Sequence, residues 1–375
     1  MRPLEGRKII CCVGSGGVGK TTTAAALALG AAMEGKRALV LTIDPARRLA
    51  NSLGLKELGN AETRIDPAHF AEAKLSPRGE MWAMMLDLKR AWDELVRRDA
   101  RTPAQAEAIL GNKLYQSLST AMAGSLEYIA MEKVYELYAG GRFDLIVLDT
   151  PPTSNALDFL HAPDRVLDVL DNDAMRLLLG PMLKAGRFGL RMLARPSGVA
   201  LRTLARFTGS DFLRDLADFM VAFEGMYGGF KDRAAQVKKL LSSEKTAFVL
   251  VTSPNPLITQ ETLFFHQALE EAKIPTAAVV VNRVQRDPRR HGGPDNVPAL
   301  KEALHLAQIK DSDRLAERLC ETLTEQAILA DLDRREIERL RATLNGVPLF
   351  IVPRLRRDVH DLAGLWQIDE YLGGE

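Results

Sequence analysis

Apolar residues fall in short, unbroken runs separated by longer mixed stretches. The runs are Lys8–Val13 (KIICCV), Arg37–Ile43 (RALVLTI), Met81–Leu86 (MWAMML), Phe143–Leu148 (FDLIVL), Ala247–Thr252 (AFVLVT), Thr276–Val281 (TAAVVV) and Pro348–Val352 (PLFIV). Continuous runs without alternation are the pattern of strands buried on both faces, as in a mostly parallel sheet covered by helices. The segments between them read as helices, beginning with the alanine-rich Thr21–Met33. Alternating strands and helices predict an α/β, doubly wound fold. Two regions interrupt the alternation: Leu88–Tyr138 and Asp158–Leu241 hold no convincing strand and read as helices. They predict a helical subdomain, at approximately 88–138 and 158–241, inserted into one domain spanning 1–375. A third, highly charged helical stretch covers Pro298–Leu344. There is no internal repeat and no low-complexity linker.

Composition narrows the class without naming a chemistry. At 375 residues the chain holds one large domain or two to three ordinary ones, at roughly 150 residues each. Hydrophobic residues make up 46% and charged residues 26%, which suits a globular protein with a full core. The net charge of +1 gives no global field for nucleic acid, and no nucleic-acid partner is expected. Cys11, Cys12 and Cys320 form no spaced set, which excludes a cysteine-built metal site and fits a reducing, cytoplasmic setting. The six histidines are scattered. No apolar run approaches the ~20 residues of a membrane-spanning helix. The first strand starts so early that no signal peptide is expected before it.

The chemistry concentrates in residues 14–21. Gly14-Ser15-Gly16-Gly17-Val18-Gly19-Lys20-Thr21 fits G-x-x-x-x-G-K-[ST] and lies between a strand and a helix, the context that gives this motif its meaning. Glycines let backbone N–H groups turn toward phosphate oxygens, and the following helix adds its free N–H groups and positive dipole end. Lys20 brings a mobile charge to the β- and γ-phosphates, and Thr21 a hydroxyl for Mg²⁺. The fold is therefore expected to be a P-loop NTPase core with the helical subdomain inserted. An acid at the end of a buried strand completes such a site, and Asp149 stands there; its other reading is a helix N-cap. Asp44, in Thr42-Ile43-Asp44-Pro45-Ala46, could orient a water against the γ-phosphate, or serve as a cap or turn carboxylate, which Pro45 also fits.

Together these pieces resemble the ArsA-type ATPases, a family that includes the arsenite-pump ATPase and the eukaryotic targeting factor for tail-anchored membrane proteins. The resemblance runs over nearly the whole chain. The family loop GKGGVGKTT stands here as GSGGVGKTT, residues 14–22. Its first switch, DPAH, is matched by Asp44-Pro45-Ala46-Arg47, and its second, DTAPTGHTLR, by DTPPTSNALD at 149–158. Asn282 in VVVNR matches an adenine-contacting asparagine, and Pro353 in IVPRL a proline lining the base pocket. The resemblance implies ATP/ADP and Mg²⁺ as ligands, with Lys20 on the phosphates and Thr22 at the α-phosphate. It assigns Thr21 and Asp149 to Mg²⁺, Asp149 directly or through water, and Asp44 to the hydrolytic water. ATP hydrolysis in the family is coupled to the opening and closing of a dimer.

The departures are informative. The family's signature lysine, which reaches across the dimer to the partner's phosphates, is Ser15 here, and two such chains facing each other lack both lysines. Three explanations stand: a lysine-bearing paralogue forms a heterodimer with this chain, which is the favoured one; Arg47 or Arg48 substitutes; or the chain binds ATP and barely hydrolyses it, as a nucleotide-gated scaffold or regulatory subunit. The switch histidines are replaced by Arg47 and Asn155. The CxxC that binds zinc in eukaryotic members is missing from Asn282–Val297, so no zinc is expected, and the metalloid-binding cysteines of the arsenite pump have no equivalent. In the targeting factor, helices after the second switch build an apolar groove. The matching region here, Asp158–Leu241, contains Arg187–Phe207, with arginines at 187, 191 and 195 on one helical face. It could pack as ordinary core, receive a hydrophobic protein client or meet a membrane surface. A positioning switch of the ParA or MinD kind is disfavoured by the acidic tail Asp358–Glu375.

Overall fold

All seven apolar runs form strands, and they lie side by side in one sheet. The computed structural model describes residues 4–44, 46–121, 125–150, 226–291 and 296–373, with Ala162, Asp164, Asp215, Asp218, Phe219 and Ala222 besides. Pro45, Asn155, the second switch beyond Thr150, the Arg187–Phe207 stretch and most of the predicted 158–241 helical region lie outside the described residues. The strands are β1 (Ile9–Val13), β2 (Arg37–Thr42), β3 (Thr63–Arg64), β4 (Glu80–Met85), β5 (Leu145–Asp149), β6 (Thr246–Thr252), β7 (Thr276–Val284) and β8 (Leu349–Pro353). Their order is β3-β4-β2-β5-β1-β6-β7-β8, parallel throughout except for β3 on β4 at one edge. The chain thus moves outward from β1 in both directions, and the carboxyl ends of β1, β2, β5, β6 and β7 meet along one edge. In open parallel sheets that edge is where ligands bind.

Alternate residues of each strand feed two separate cores. Ile10, Cys12, Ala38, Val40, Val147, Val249, Val251 and Val280 face a layer containing α1 (Lys20–Met33) and the C-terminal helix α12 (Leu362–Leu372). Ile9, Cys11, Leu39, Leu41, Ile146, Leu148, Phe248 and Val281 face the opposite layer. That layer holds α4 (Leu88–Asp99), α5 (Pro103–Leu110), α6 (Lys113–Ala121), α7 (Ser125–Ala139), α8 (Tyr227–Leu241) and α9 (Pro256–Glu271). Met81, Ala83 and Met84 of the MWAMML run are core residues. Cys11 is wholly buried, and burial pushes its thiol up to about 12, so it packs as a small apolar group. Among the described residues, no helix is long and apolar enough to cross a membrane.

The helices of 88–139 join α8 through a buried charge. Glu132 of α7 is 2% exposed, and its Oε1 accepts from Arg98 Nη2 of α4 and Arg233 Nε of α8, both at 2.8 Å. A carboxylate buried that deeply costs several kcal/mol unless paired, so this contact fixes the mutual placement of three helices. On the other face, α12 lies directly on α1. Its start is capped by Asp361, which accepts from Gly364 N at 2.7 Å. Asp369 sits over Gly30 so closely that a Cβ there would lie 2.3 Å from its Oδ1.

This packing predicts a pH signature. Burial pushes the Asp369 carboxyl up to about 7, with Glu34 and Glu370 adding to the rise. The fold therefore favours the neutral acid: its stabilising share is complete below the unfolded carboxylate value and is lost as pH rises through about 7. Asp369→Asn keeps the shape and removes the charge. In thermal denaturation from pH 5 to pH 8, the variant's Tm is expected to gain on wild type as pH rises. A constant difference across that range contradicts the assignment.

Candidate phosphate-binding site

The loop at 14–19 is shaped by two glycines that admit no side chain. Gly14 has φ 152°, and a Cβ there would lie 2.1 Å from the Val251 carbonyl oxygen of β6. Gly19 has φ 101°, and a Cβ there would lie 2.2 Å from Asn282 Nδ2 at the end of β7. The loop therefore runs pressed against the ends of two neighbouring strands. It delivers the chain into α1, whose N-terminus has no side-chain cap and keeps its first N–H groups directed at the loop. Val18 is buried beneath the loop, and Gly16 and Gly17 are exposed at its rim.

Lys20 opens the helix and is only 6% exposed. Its ammonium stands over the loop, donating to the carbonyl oxygens of Gly14 and Ser15 at 2.8 Å each. Burial lowers its pKa, and the charges of Asp149 and Asp44 oppose that shift. Thr21 and Thr22 follow, both half-buried. Register brings Asp149 beside them: Cys12 of β1 and Thr42 of β2 both pair with Asp149. Asp149 is 0% exposed. Thr42 Oγ1 donates to its Oδ2 at 2.8 Å. Burial pushes the carboxyl up to about 6, while the Thr21 and Thr42 hydroxyls and Lys20 pull it down. Its Oδ1 is buried and has no hydrogen-bond partner among the described residues. An orphaned anionic oxygen between a lysine and a threonine hydroxyl is the environment that a bound cation satisfies. No cluster of three or more acidic, histidine or cysteine ligands occurs among the described residues. The donor set here is one carboxylate and one hydroxyl, leaving most positions to phosphate and water, which is how Mg²⁺ is usually held.

Asp44 lies just beyond β2, half-buried. Its Oδ1 accepts from Ala46 N at 2.9 Å, and Arg48 Nη1 lies 3.6 Å from its Oδ2. Arg48 also acts on Lys20, whereas Arg47 is directed at Glu57, 3.9 Å away and well exposed. Of the two arginines, only Arg48 belongs to the site. Ser15 Oγ donates to a carboxylate oxygen of Glu261 on α9. At the other end, Asn282 Nδ2 donates to the Val18 carbonyl at 2.8 Å and its Oδ1 accepts from Arg283 N at 2.8 Å. Each amide group retains one further hydrogen-bonding capacity. Pro353 pairs with Val284, which places it beside the exit of β7.

The predicted residues thus gather along one sheet edge, in two groups: Lys20, Thr21, Asp44 and Asp149 around the loop, and Asn282 with Pro353 beyond it. Thr42 and Glu261 were not anticipated. Thr42 becomes visible once β2 and β5 are paired in register. Glu261 lies 246 residues from Ser15 and carries no local signal.

Comparison with known proteins agrees with this geometry. The sequence model of the anion-transporting ATPases matches residues 7–312. An ATPase named get3 from Schizosaccharomyces japonicus is 29% identical over 277 residues, covering 73% of this chain and 74% of that protein. The ATPase GET3B of Arabidopsis thaliana is 24% identical over 365 residues, covering 91% and 76%. The ATPase ARSA1 of Chlamydomonas reinhardtii is 27% identical over 298 residues, covering 74% of this chain and 35% of that protein. With a phosphate loop at the edge of a parallel sheet and a family match over most of its length, the chain belongs to the anion-transporting, ArsA-type ATPases and is an ATP hydrolase.

Proposed function

We propose that the chain couples Mg²⁺-dependent ATP hydrolysis to the opening and closing of a dimer, and through it to a hydrophobic protein or membrane-associated client. The observation that carries this reading is the convergence of Lys20, Thr21, Asp44 and the buried Asp149 on one phosphate loop. Loop N–H groups and the α1 N-terminus bind the phosphates, and Lys20 swings from the loop carbonyls to the β- and γ-phosphates. Thr22 touches the α-phosphate. Thr21 and Asp149 would hold Mg²⁺, Asp149 directly or through water, and the metal would supply charge neutralisation on the transferring group. Asp44, steadied by Ala46 N and Arg48, orients the attacking water and receives its proton. Asn282 offers its remaining donor and acceptor to the adenine, against Pro353. The region read from sequence as a helical subdomain, approximately 88–138 and 158–241, senses nucleotide state and handles the client.

The Ser15 substitution supports a heterodimer as the working form. Ser15 is short and bonded within its own chain to Glu261, and Arg48 is already engaged by Asp44. A lysine from a paralogue's loop is then the cation that completes the site. A second reading, a nucleotide-gated scaffold or regulatory subunit with weak hydrolysis of its own, rests on the same substitution.

Two measurements test these assignments. For Asp44→Asn, the ATP dissociation constant is expected to stay within about twofold while kcat falls about 100-fold or more, the usual weight of a positioned base. An unchanged kcat removes Asp44 from the reaction. The purified chain alone should turn over slowly, and mixing with a lysine-bearing paralogue should raise the rate by about 10³-fold or more, by analogy with cations donated across an interface. Ser15→Lys should recover part of that rate without the paralogue. Brisk hydrolysis by the unmixed wild-type chain would sink the heterodimer reading.

A further inference from the structure

The pairing of β7 with β8 shifts register between Val281 and Val284, and the backbone there is strained. Arg283 has φ 62°, a left-handed conformation that a non-glycine residue adopts at a cost, so the surrounding contacts must maintain it. Three bonds do so within a few residues. Arg283 N donates to Asn282 Oδ1 at 2.8 Å. Arg354 N, next to Pro353, donates to the Val284 carbonyl at 2.8 Å. Gln285 N donates to Asp333 Oδ2 at 2.7 Å. The second comes from the end of β8, and the last is the only one of the three made by a helix. Asp333 belongs to α11 (Ser312–Thr343), a helix that no reading of the nucleotide motifs includes.

The same two turns of α11 hold the segment further along. Asp287 Oδ2 accepts from Arg334 Nη2 at 2.9 Å, and Arg289 bridges Asp287 and Asp331 at 2.8 Å and 2.7 Å. Arg334 Nη1 lies 3.1 Å from Asp331. Single exposed pairs of this kind contribute little, but a closed network of two arginines and two aspartates fixes geometry better than any one of them. Asp333 differs from the network: its partner is a backbone N–H, so the bond specifies where the chain itself runs. That irregular end of β7 pairs Val284 with Pro353, the residue that the proposed function sets against the base.

We propose that Asp333 is a positioning residue for the nucleotide base: from α11 it fixes the bulged end of β7 through Gln285 N, and so sets a wall formed by Val284 and Pro353. This rests on the base-pocket reading given above. The role is separable from phosphate binding, because Asn282 keeps its own bond to Val18 and the loop keeps its contacts with β6 whatever happens at Gln285.

The test compares Mg²⁺-ATP with Mg²⁺-tripolyphosphate, which fits the loop and has no base. By equilibrium binding to the full chain, Asp333→Ala should weaken ATP roughly 5- to 10-fold, about the weight of one ordinary hydrogen bond, and leave tripolyphosphate unchanged. Asp333→Asn, whose Oδ1 can still accept from Gln285 N, should restore ATP binding. Asn282→Ala should weaken both ligands, since it releases Val18 as well. Equal ATP affinity in Asp333→Ala and wild type overturns the positioning role. So does equal weakening of both ligands by Asp333→Ala, which marks general loosening, and so does failure of Asp333→Asn to rescue. If wild type binds tripolyphosphate as tightly as ATP, the base pocket itself is wrong and the role of Asp333 falls with it. A wild-type preference for ATP that survives Asp333→Ala rejects the positioning role alone.

Discussion

Everything at the site depends on how closely the 14–19 loop lies on the sheet edge. At Gly14 the backbone nearly touches the Val251 carbonyl, and at Gly19 the Asn282 amide. These are contacts with backbone and with a buried, bonded amide, so neither neighbour can retreat cheaply. A methyl group at either position would lift the loop off the strands. Lys20 and Thr21 are placed by the loop, while Asp149 is placed by β5, so lifting the loop separates groups that must act on one phosphate chain. Steric fit at two glycines therefore sets an electrostatic distance.

That distance matters because Asp149 is costly where it sits. A fully buried carboxylate is disfavoured, and its raised pKa records the cost. The Thr21 and Thr42 hydroxyls offset part of it, and Lys20 another part through its charge. The orphaned Oδ1 is the remainder. A core of Val and Leu side chains would tolerate an apolar residue at 149 far better, so stability does not explain the aspartate. The cation site of the proposed function would.

Much of this was legible in the sequence. The parallel strands were, because burial on both faces leaves unbroken apolar runs, and so was the loop, because glycine spacing and Lys20-Thr21 are local. What escaped was non-local or nearly patternless. The edge strand Thr63–Arg64 is two residues long and exposed, with no apolar run to mark it. The tail around Leu362–Leu372 reads as acidic; its buried Leu362, Leu365, Ile368 and Leu372 pack in one core with α1, but the close approach of Asp369 to Gly30 is revealed by no spacing. Asn282 was placed with the base, and its bond to Val18, 264 residues away, could not be read from either segment. The Ser15–Glu261 and Asp333–Gln285 bonds escaped for the same reason.

The charge around the loop bears on Ser15 more directly than any motif does. The described residues bring Lys20 and Arg48 to the site against Asp44, Asp149 and Glu261. Positive charge is already outnumbered before a triphosphate enters. The α1 N-terminus contributes about half a unit, and a divalent cation two. A triphosphate of about four negative charges still exceeds what remains, and its excess grows on the oxygens that carry charge in the transition state. Glu261 deepens the deficit at the very residue where the family places a cation, because its carboxylate is bonded to Ser15 itself. That same carboxylate would attract a lysine approaching from another chain. In the proposed heterodimer, the negative charge of Glu261 would have two consequences: it deepens the isolated chain's deficit and draws in the partner's lysine.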